Sequence, residues 1–137
     1  MSNRLQQASF ALLGALAFVA PLTSVPAHAA GLPDLTPASL TVQVSARNNG
    51  CRANIQAIIA NIGTEAALPY SNQFSVDGVL YTQAILEGTD VGSTAKTGIS
   101  PEVSFGSHTV TVLADSANQV VESNEDNNSL STPFTCV

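Results

Sequence analysis

The residues best equipped for chemistry lie close together near the C-terminal end of the chain: Glu122, Asn124, Glu125, Asp126, Asn127 and Asn128, with Asp115 one short polar turn upstream. Carboxylates and amide carbonyls at this density can serve two ends. Asn and Asp side chains bond nearby backbone groups and accept left-handed conformations, so they rigidify turns. On that reading Asn124, Asn127 and Asn128 order a corner between the last two strands, and Glu122 accepts backbone N–H bonds. The same oxygens suit Ca²⁺, which takes about six to eight of them. Asp115, Glu122, Glu125 and Asp126 are then the candidate ligands. The spacing is not that of an EF-hand loop, since the D-x-D-x-D-G start and its closing Glu are absent. Asx-rich turns are far commoner than ion sites, so the structural role takes precedence and the sequence requires no cofactor.

Other chemistries fail on composition. Beyond residue 30 the only histidine is His108, and no G-x-S-x-G elbow accompanies it. It opens an alternating segment beside Thr109, which suits packing or hydrogen bonding better than catalysis. One histidine and two cysteines make no transition-metal set. No phosphate-cradling glycine loop is present. Glu65, Glu87 and Glu102 stand singly in expected loops and read as solvated surface. No catalytic constellation is visible, so an enzyme is not expected.

These residues are expected to reach an exported domain. Residues 1–30 read as a secretory signal peptide. Arg4 is their only charge, residues 10–22 are apolar apart from Gly14 and Pro21, and Pro26-Ala27-His28-Ala29 supplies small residues for a peptidase. Cleavage near Ala29 or Ala30 would send residues 31–137 to the periplasm or the medium as one domain, with no membrane attachment. Arg47, Arg52 and Lys96 then face ten acidic residues. A surface of that sign repels phosphate backbones, which argues against nucleic acid. Cys51 and Cys136 are an even pair in an exported chain and read as a disulfide. Closing so long a loop stabilises by roughly 4 kcal/mol on chain-entropy grounds.

The elements that must position these groups are strands. Leu40, Val42 and Val44 share one face of residues 35–44. Cys51, Ala53, Ile55, Ala57 and Ile59 alternate with Arg52, Asn54 and Gln56, the period of a half-buried strand. Residues 61–64 (NIGT) and 87–89 are turns. Residues 73–76 and 79–85 flank Asp77-Gly78, the signature of a hairpin on a type I′ turn. Residues 91–105 are weakly patterned, with Ile99, Val103 and Phe105 expected inward. Val110 and Val112 point inward from residues 109–114. Leu130, Phe134 and Cys136 share a face of the last strand. About seven short strands with regular turn signals describe an all-β, immunoglobulin-like antiparallel sandwich. In that order Cys51 opens the second strand and Cys136 ends the last at the same pole, both with inward parity.

Residues 108–128, HTVTVLADSANQVVESNEDNN, resemble the signature of the CARDB family, the cell adhesion related domains of bacteria. The family pattern is roughly H-T-[IV]-x-[IV]-x-[IV]-D followed by N-x-[IV]-x-E-x-[ND]-E-x-N-N. His108, Thr109, Val110, Val112 and Asp115 fall on its first part. Asn118, Val120, Glu122, Asn124, Glu125, Asn127 and Asn128 fall on its second. The resemblance runs from Pro33-Asp34-Leu35 to Phe134 and implies an immunoglobulin-like sandwich. It also implies a non-enzymatic extracytoplasmic module that contacts protein or carbohydrate through a sheet edge or a pole of loops. The chain departs from the family in its cysteine pair, in reading as a lone unanchored domain, and in lacking a Trp before His108, a place Phe105 is expected to take. Aromatic residues are 5% of the chain, with Tyr70 and Tyr81 the only tyrosines. That favours another exported or surface protein over carbohydrate as partner. A small periplasmic structural or regulatory protein, such as an inhibitor or assembly factor, is one alternative, and a Ca²⁺-dependent adhesion module is another.

Overall fold

Period-2 alternation builds β2 (Gly50–Asn61), with Cys51, Ala53, Ile55, Ala57 and Ile59 buried and Arg52, Asn54 and Gln56 exposed. The structure is a computed structural model that describes residues 31–137; the expected signal peptide lies outside the described residues. β1 (Leu35–Arg47) pairs with one side of β2, and β5 (Thr94–Ile99) and β6 (Glu102–Val103) pair with the other. The second sheet runs β4 (Val79–Leu86), β3 (Tyr70–Val76), β7 (Gly106–Leu113), β8 (Ser129–Cys136). Every pairing is antiparallel. The sheets enclose one core, in which Leu35, Ile55, Ile59, Tyr70, Phe74, Val110 and Val112 are fully buried.

The eight segments occupy seven strand positions. Ile99 lies opposite Ile55 and Val103 opposite Cys51 in a single unbroken register. Pro101 splits this line, because it has no N–H to give to the ladder. Its carbonyl still accepts from Ala53 N at 2.9 Å. The hairpin turn is left-handed at both central residues, with φ of 52° at Asp77 and 79° at Gly78, as a type I′ turn requires.

One inward assignment fails, that of Phe105, whereas Leu40, Val42 and Val44 do share a face, opposite Ala57, Ile55 and Ala53 of β2. Phe105 is 55% exposed, because it sits in the bend between β6 and β7, and Val103 holds the buried place beside Cys51. Leu40 is buried and Val42 half-buried, but Val44 is exposed. Thr132 of β8 reaches the Leu40 carbonyl at 3.4 Å, and beyond that point edge strand β1 runs out from under the opposite sheet.

Strand direction sorts the charges. Asp34, Glu65, Glu87, Asp90, Asp115, Glu122, Glu125 and Asp126 all belong to segments at the pole where β2 and β7 end. That is eight of the ten acids, so this end is the acidic pole. Asp77 and Glu102 lie at the opposite pole together with Arg47, Arg52 and His108.

Candidate functional site

Asp115 closes β7 at the acidic pole. It is buried and left-handed, with φ of 42°. Its Oδ1 accepts from Gln119 N at 2.9 Å and its Oδ2 from Val120 N at 2.8 Å, while its carbonyl accepts from Asn118 N at 2.8 Å. Asp115 thus collects two backbone N–H groups of its own loop, while the backbone N–H that faces Glu122 is that of Leu35. A carboxylate two residues beyond a strand can curl back over the next turn, whereas Glu122 lies further along and points inward. Val120 and Glu122 are buried while Val121 is exposed.

Glu122 is 6% exposed, and neither of its carboxyl oxygens makes a well-formed hydrogen bond. Burial raises its pKa to about 7. The Asn128 side chain and the Leu35 N–H pull it down, and the charges of Glu125 and Asp115 add to the rise. Its own N–H donates to Glu125 Oε1 at 3.0 Å. Asn124 Oδ1 accepts from Asp126 N at 3.1 Å, an Asx turn on the exposed side. Asn127 Nδ2 donates to Asp34 Oδ1 at 2.7 Å, and the Asn127 carbonyl accepts from Thr36 Oγ1 at 3.0 Å. The Asn128 carbonyl accepts from Ala114 N at 2.8 Å. Asn127 and Asn128 thus tie this loop to Asp34, Thr36 and Ala114. Of the four expected cation ligands, Asp115 and Glu125 serve backbone N–H groups and Asp126 is exposed. Among the described residues no three His, Cys, Asp or Glu side chains gather around one point that could hold an ion.

Sequence reasoning passed over Asn61, which it placed in a turn. Asn61 is fully buried. Its Oδ1 accepts from Asp34 N and from Gly63 N, each at 3.1 Å, and its Nδ2 donates to Glu65 O at 2.8 Å and Thr89 O at 2.9 Å. One amide therefore ties three loops of the acidic pole together. Gly63 has to be glycine here, since a Cβ would meet the Leu32 carbonyl oxygen at 2.4 Å.

At the opposite pole His108 has both ring nitrogens committed. Nδ1 is 2.7 Å from Asp77 Oδ2, and Nε2 is 2.9 Å from the Ser104 carbonyl oxygen. Both partners are acceptors in their usual states, so the pair of bonds favours the doubly protonated ring. The His108 pKa is raised by Asp77 first and Ser104 second. The Asp77 pKa is lowered by His108 first, then by Thr109 N, which bonds Oδ1 at 2.8 Å. The ring also packs on Phe134, with centroids 5.3 Å apart. This is a clamp between hairpin and strand, as the hydrogen-bonding reading of His108 expects. Close by, Cys51 and Cys136 form the expected disulfide, with Cα atoms 5.8 Å apart and 85 positions between them in sequence.

The four sheet edges are unequal. β1 carries Pro37 and a bulge between Pro37 and Ser39. The β5–β6 line carries Lys96 and Pro101, and β8 carries Pro133. Such features block pairing with foreign strands. β4 (VLYTQAIL) has no charge and no proline, and it exposes Val79, Leu80, Tyr81 and Ile85.

The CARDB family model matches residues 32–132. Two solved structures are similar to the chain. One is the CARDB domain of a Pyrococcus furiosus protein in complex with di-metal ions; it has a TM-score of 0.63 at 19% identity, covering 76% of this chain and 93% of its own. The other is a domain of a protein named as a cell surface protein from Methanosarcina acetivorans; it has a TM-score of 0.65 at 26% identity, covering 76% of this chain and 91% of its own. No curated protein matches the chain in sequence.

Proposed function

The chain belongs to the CARDB family, and from that membership we propose that it is a non-enzymatic binding module working outside the cytoplasm, which holds another exported or surface protein along the free edge of β4. The observation that carries this reading is the contrast among edges. β4 alone lacks a proline or charge and presents large apolar side chains on both of its faces. An extended segment can add to such an edge through backbone hydrogen bonds, with alternate side chains giving specificity. Asp77 and Glu87 flank the strand. Antiparallel self-pairing would bring these acids of two copies together, so the favoured occupant is a different chain with apolar alternation and basic flanks. The disulfide supports an oxidising compartment. Few aromatics line the edge, which favours protein over carbohydrate.

Site-specific photocrosslinking tests the proposal. A crosslinker at Ile85, compared with one at Thr135 on β8, is introduced in the native host and the adducts are identified by mass spectrometry. The expected result is one exported protein captured at position 85 and lost on Leu80→Lys, with the unfolding midpoint unchanged. Equal adducts at both positions, or turnover of a hydrolase substrate that depends on His108, would overturn it.

A further inference from the structure

Six buried side-chain atoms among the described residues have no hydrogen-bond partner: Nδ2 and Oδ1 of Asn72, both carboxyl oxygens of Glu122, and Oδ1 of Asn127 and of Asn128. Native structures leave few such groups, and each calls for an explanation, an absent water or ion among them. Five of the six are acceptors, and four of those belong to one stretch of seven residues at the acidic pole. Among the described residues no Lys or Arg lies in the loops there. The Asn128 side chain and the Leu35 N–H approach Glu122 without forming a well-shaped bond, and acceptors so poorly served, in a field of uncompensated negative charge, are what a cation would satisfy.

We propose that the acidic pole binds a divalent cation of the Ca²⁺ class through the Glu122 carboxylate and the side-chain carbonyls of Asn127 and Asn128. The ligand set differs from the four-carboxylate set that the sequence suggests, because Asp115 and Glu125 serve backbone N–H groups and Asp126 is exposed. Asn127 spends its amide nitrogen on Asp34, which leaves its carbonyl oxygen as the free end. Asn128 turns its amide nitrogen toward Glu122, and a half-turn of that amide exchanges nitrogen for oxygen beside the carboxylate. A hard cation accepts this mixture of carboxylate and amide oxygens, with waters completing its shell. One carboxylate with neutral amides makes a weak site, in the range of roughly 10⁻⁴ to 10⁻³ M that suits extracellular modules. Asp34, Glu125 and Asp115 add long-range attraction without ligating.

The test uses the exported, oxidised protein with CaCl₂ as probe at pH 8, followed by titration calorimetry and by the unfolding midpoint. EDTA and NaCl at matched ionic strength are the controls. The expected result is saturable binding with a rise in midpoint that NaCl does not reproduce. Glu122→Gln keeps the side chain's shape, removes a buried charge and leaves the fold intact. It weakens binding by at least about tenfold, because ligand charge sets the affinity of such sites. Asn127→Ala weakens it as well, and Asp126→Asn changes it little. An equal shift with NaCl would mean only screening of the acidic pole and would overturn the site. Undiminished binding in Glu122→Gln would overturn the ligand assignment, and the absence of any Ca²⁺ heat would overturn both.

Discussion

At the pole where β2 begins and β8 ends, the named polar groups have found partners. His108 is bonded on both nitrogens, Asp77 on both oxygens, and Cys51 is joined to Cys136. At the pole where β2 and β7 end, Asn61 and Asp115 are equally well satisfied, but Asn127 and Asn128 keep a buried oxygen without a donor, and Glu122 meets the Asn128 side chain and the Leu35 N–H only in poor geometry. Satisfied and unsatisfied polar groups divide along this axis. The closed pole locks the chain's last strand to its second, while the acidic pole sets a rigid Asx scaffold around groups that folding alone leaves unsatisfied. Local rules broken inside an otherwise consistent fold mark the places where a ligand or a switch belongs.

The contrast breaks first at the disulfide. Replacing both cysteines, Cys51→Ser with Cys136→Ser, frees a loop of 85 positions, and chain entropy puts the loss at roughly 4 kcal/mol as an upper figure. Urea unfolding of the oxidised protein and the double variant measures it. A loss below about 1 kcal/mol would mean that strand pairing already closes this pole and the bridge adds little.

The next effect belongs to the acidic pole and to pH. Glu122 ionises at about 7 in the folded chain rather than near 4.5, because burial disfavours its charged form. Its folded pKa is raised, so its contribution is fully present below about 4.5 and is lost as pH rises through about 7. In EDTA the stability attributable to this residue therefore falls over that window, by about 2–3 kcal/mol at most. Glu122→Gln flattens the dependence. A wild-type profile that rises with pH between 5 and 7.5 in EDTA would contradict the buried, partnerless carboxyl.

Much of this division was legible before any coordinates. The parity of Cys51 and Cys136 placed the bridge, Asp77-Gly78 placed the turn, and the signature after His108 placed the family. Period-2 patterns report which face a residue occupies, and faces are what a sandwich core is made of. They do not report where a strand outruns its cover, so Val44 is exposed on the face it shares with Leu40 and Val42, and they do not report where a strand bends away, so Phe105 is exposed rather than inward. Nor do they report which carboxylate in a polar loop reaches which amide. That Asp115 takes the Gln119 and Val120 amides while Glu122 faces the distant Leu35 N–H is not legible for that reason, and Asn61 reads as an ordinary turn residue. Tertiary partners far apart in sequence, such as Asp34 with Asn127, lie beyond local reading.

The Asx scaffold can be separated from the cation candidates by Asp115→Ala. The substitution strips acceptors from the Gln119 and Val120 N–H groups and puts alanine at a left-handed position. Lost bonds and backbone strain together cost roughly 2 kcal/mol. Asp115→Asn, which tolerates the same φ and keeps one acceptor oxygen, costs less. Hydrogen exchange should rise first at Gln119 and Val120. Exchange that rises instead across β8 would show that Asp115 supports the sheet rather than the loop.

The smallest effect lies in the clamp of the closed pole. His108 has a raised pKa and Asp77 a lowered one, each mainly through their mutual hydrogen bond. The histidine's contribution is fully present below its unfolded pKa near 6.5 and is lost as pH rises through its higher folded value. The aspartate's contribution is present above its unfolded pKa near 3.8 and is lost as pH falls through its lower folded value. The clamp is therefore strongest at intermediate pH, where the ring is charged and the carboxylate ionised, and it opens on either side. Asp77→Asn removes the charge but can keep a hydrogen bond, so the His108 ring, followed by NMR, should titrate closer to 6.5 while the fold stays intact. Because Asp77 lies at the surface, salt should weaken the wild-type shift, since exposed charges are screened within about 10 Å at 0.1 M. A His108 titration that ignores both salt and Asp77→Asn would assign the ring's charge to the Ser104 carbonyl alone, and would make this pole a backbone lock rather than an ionic one.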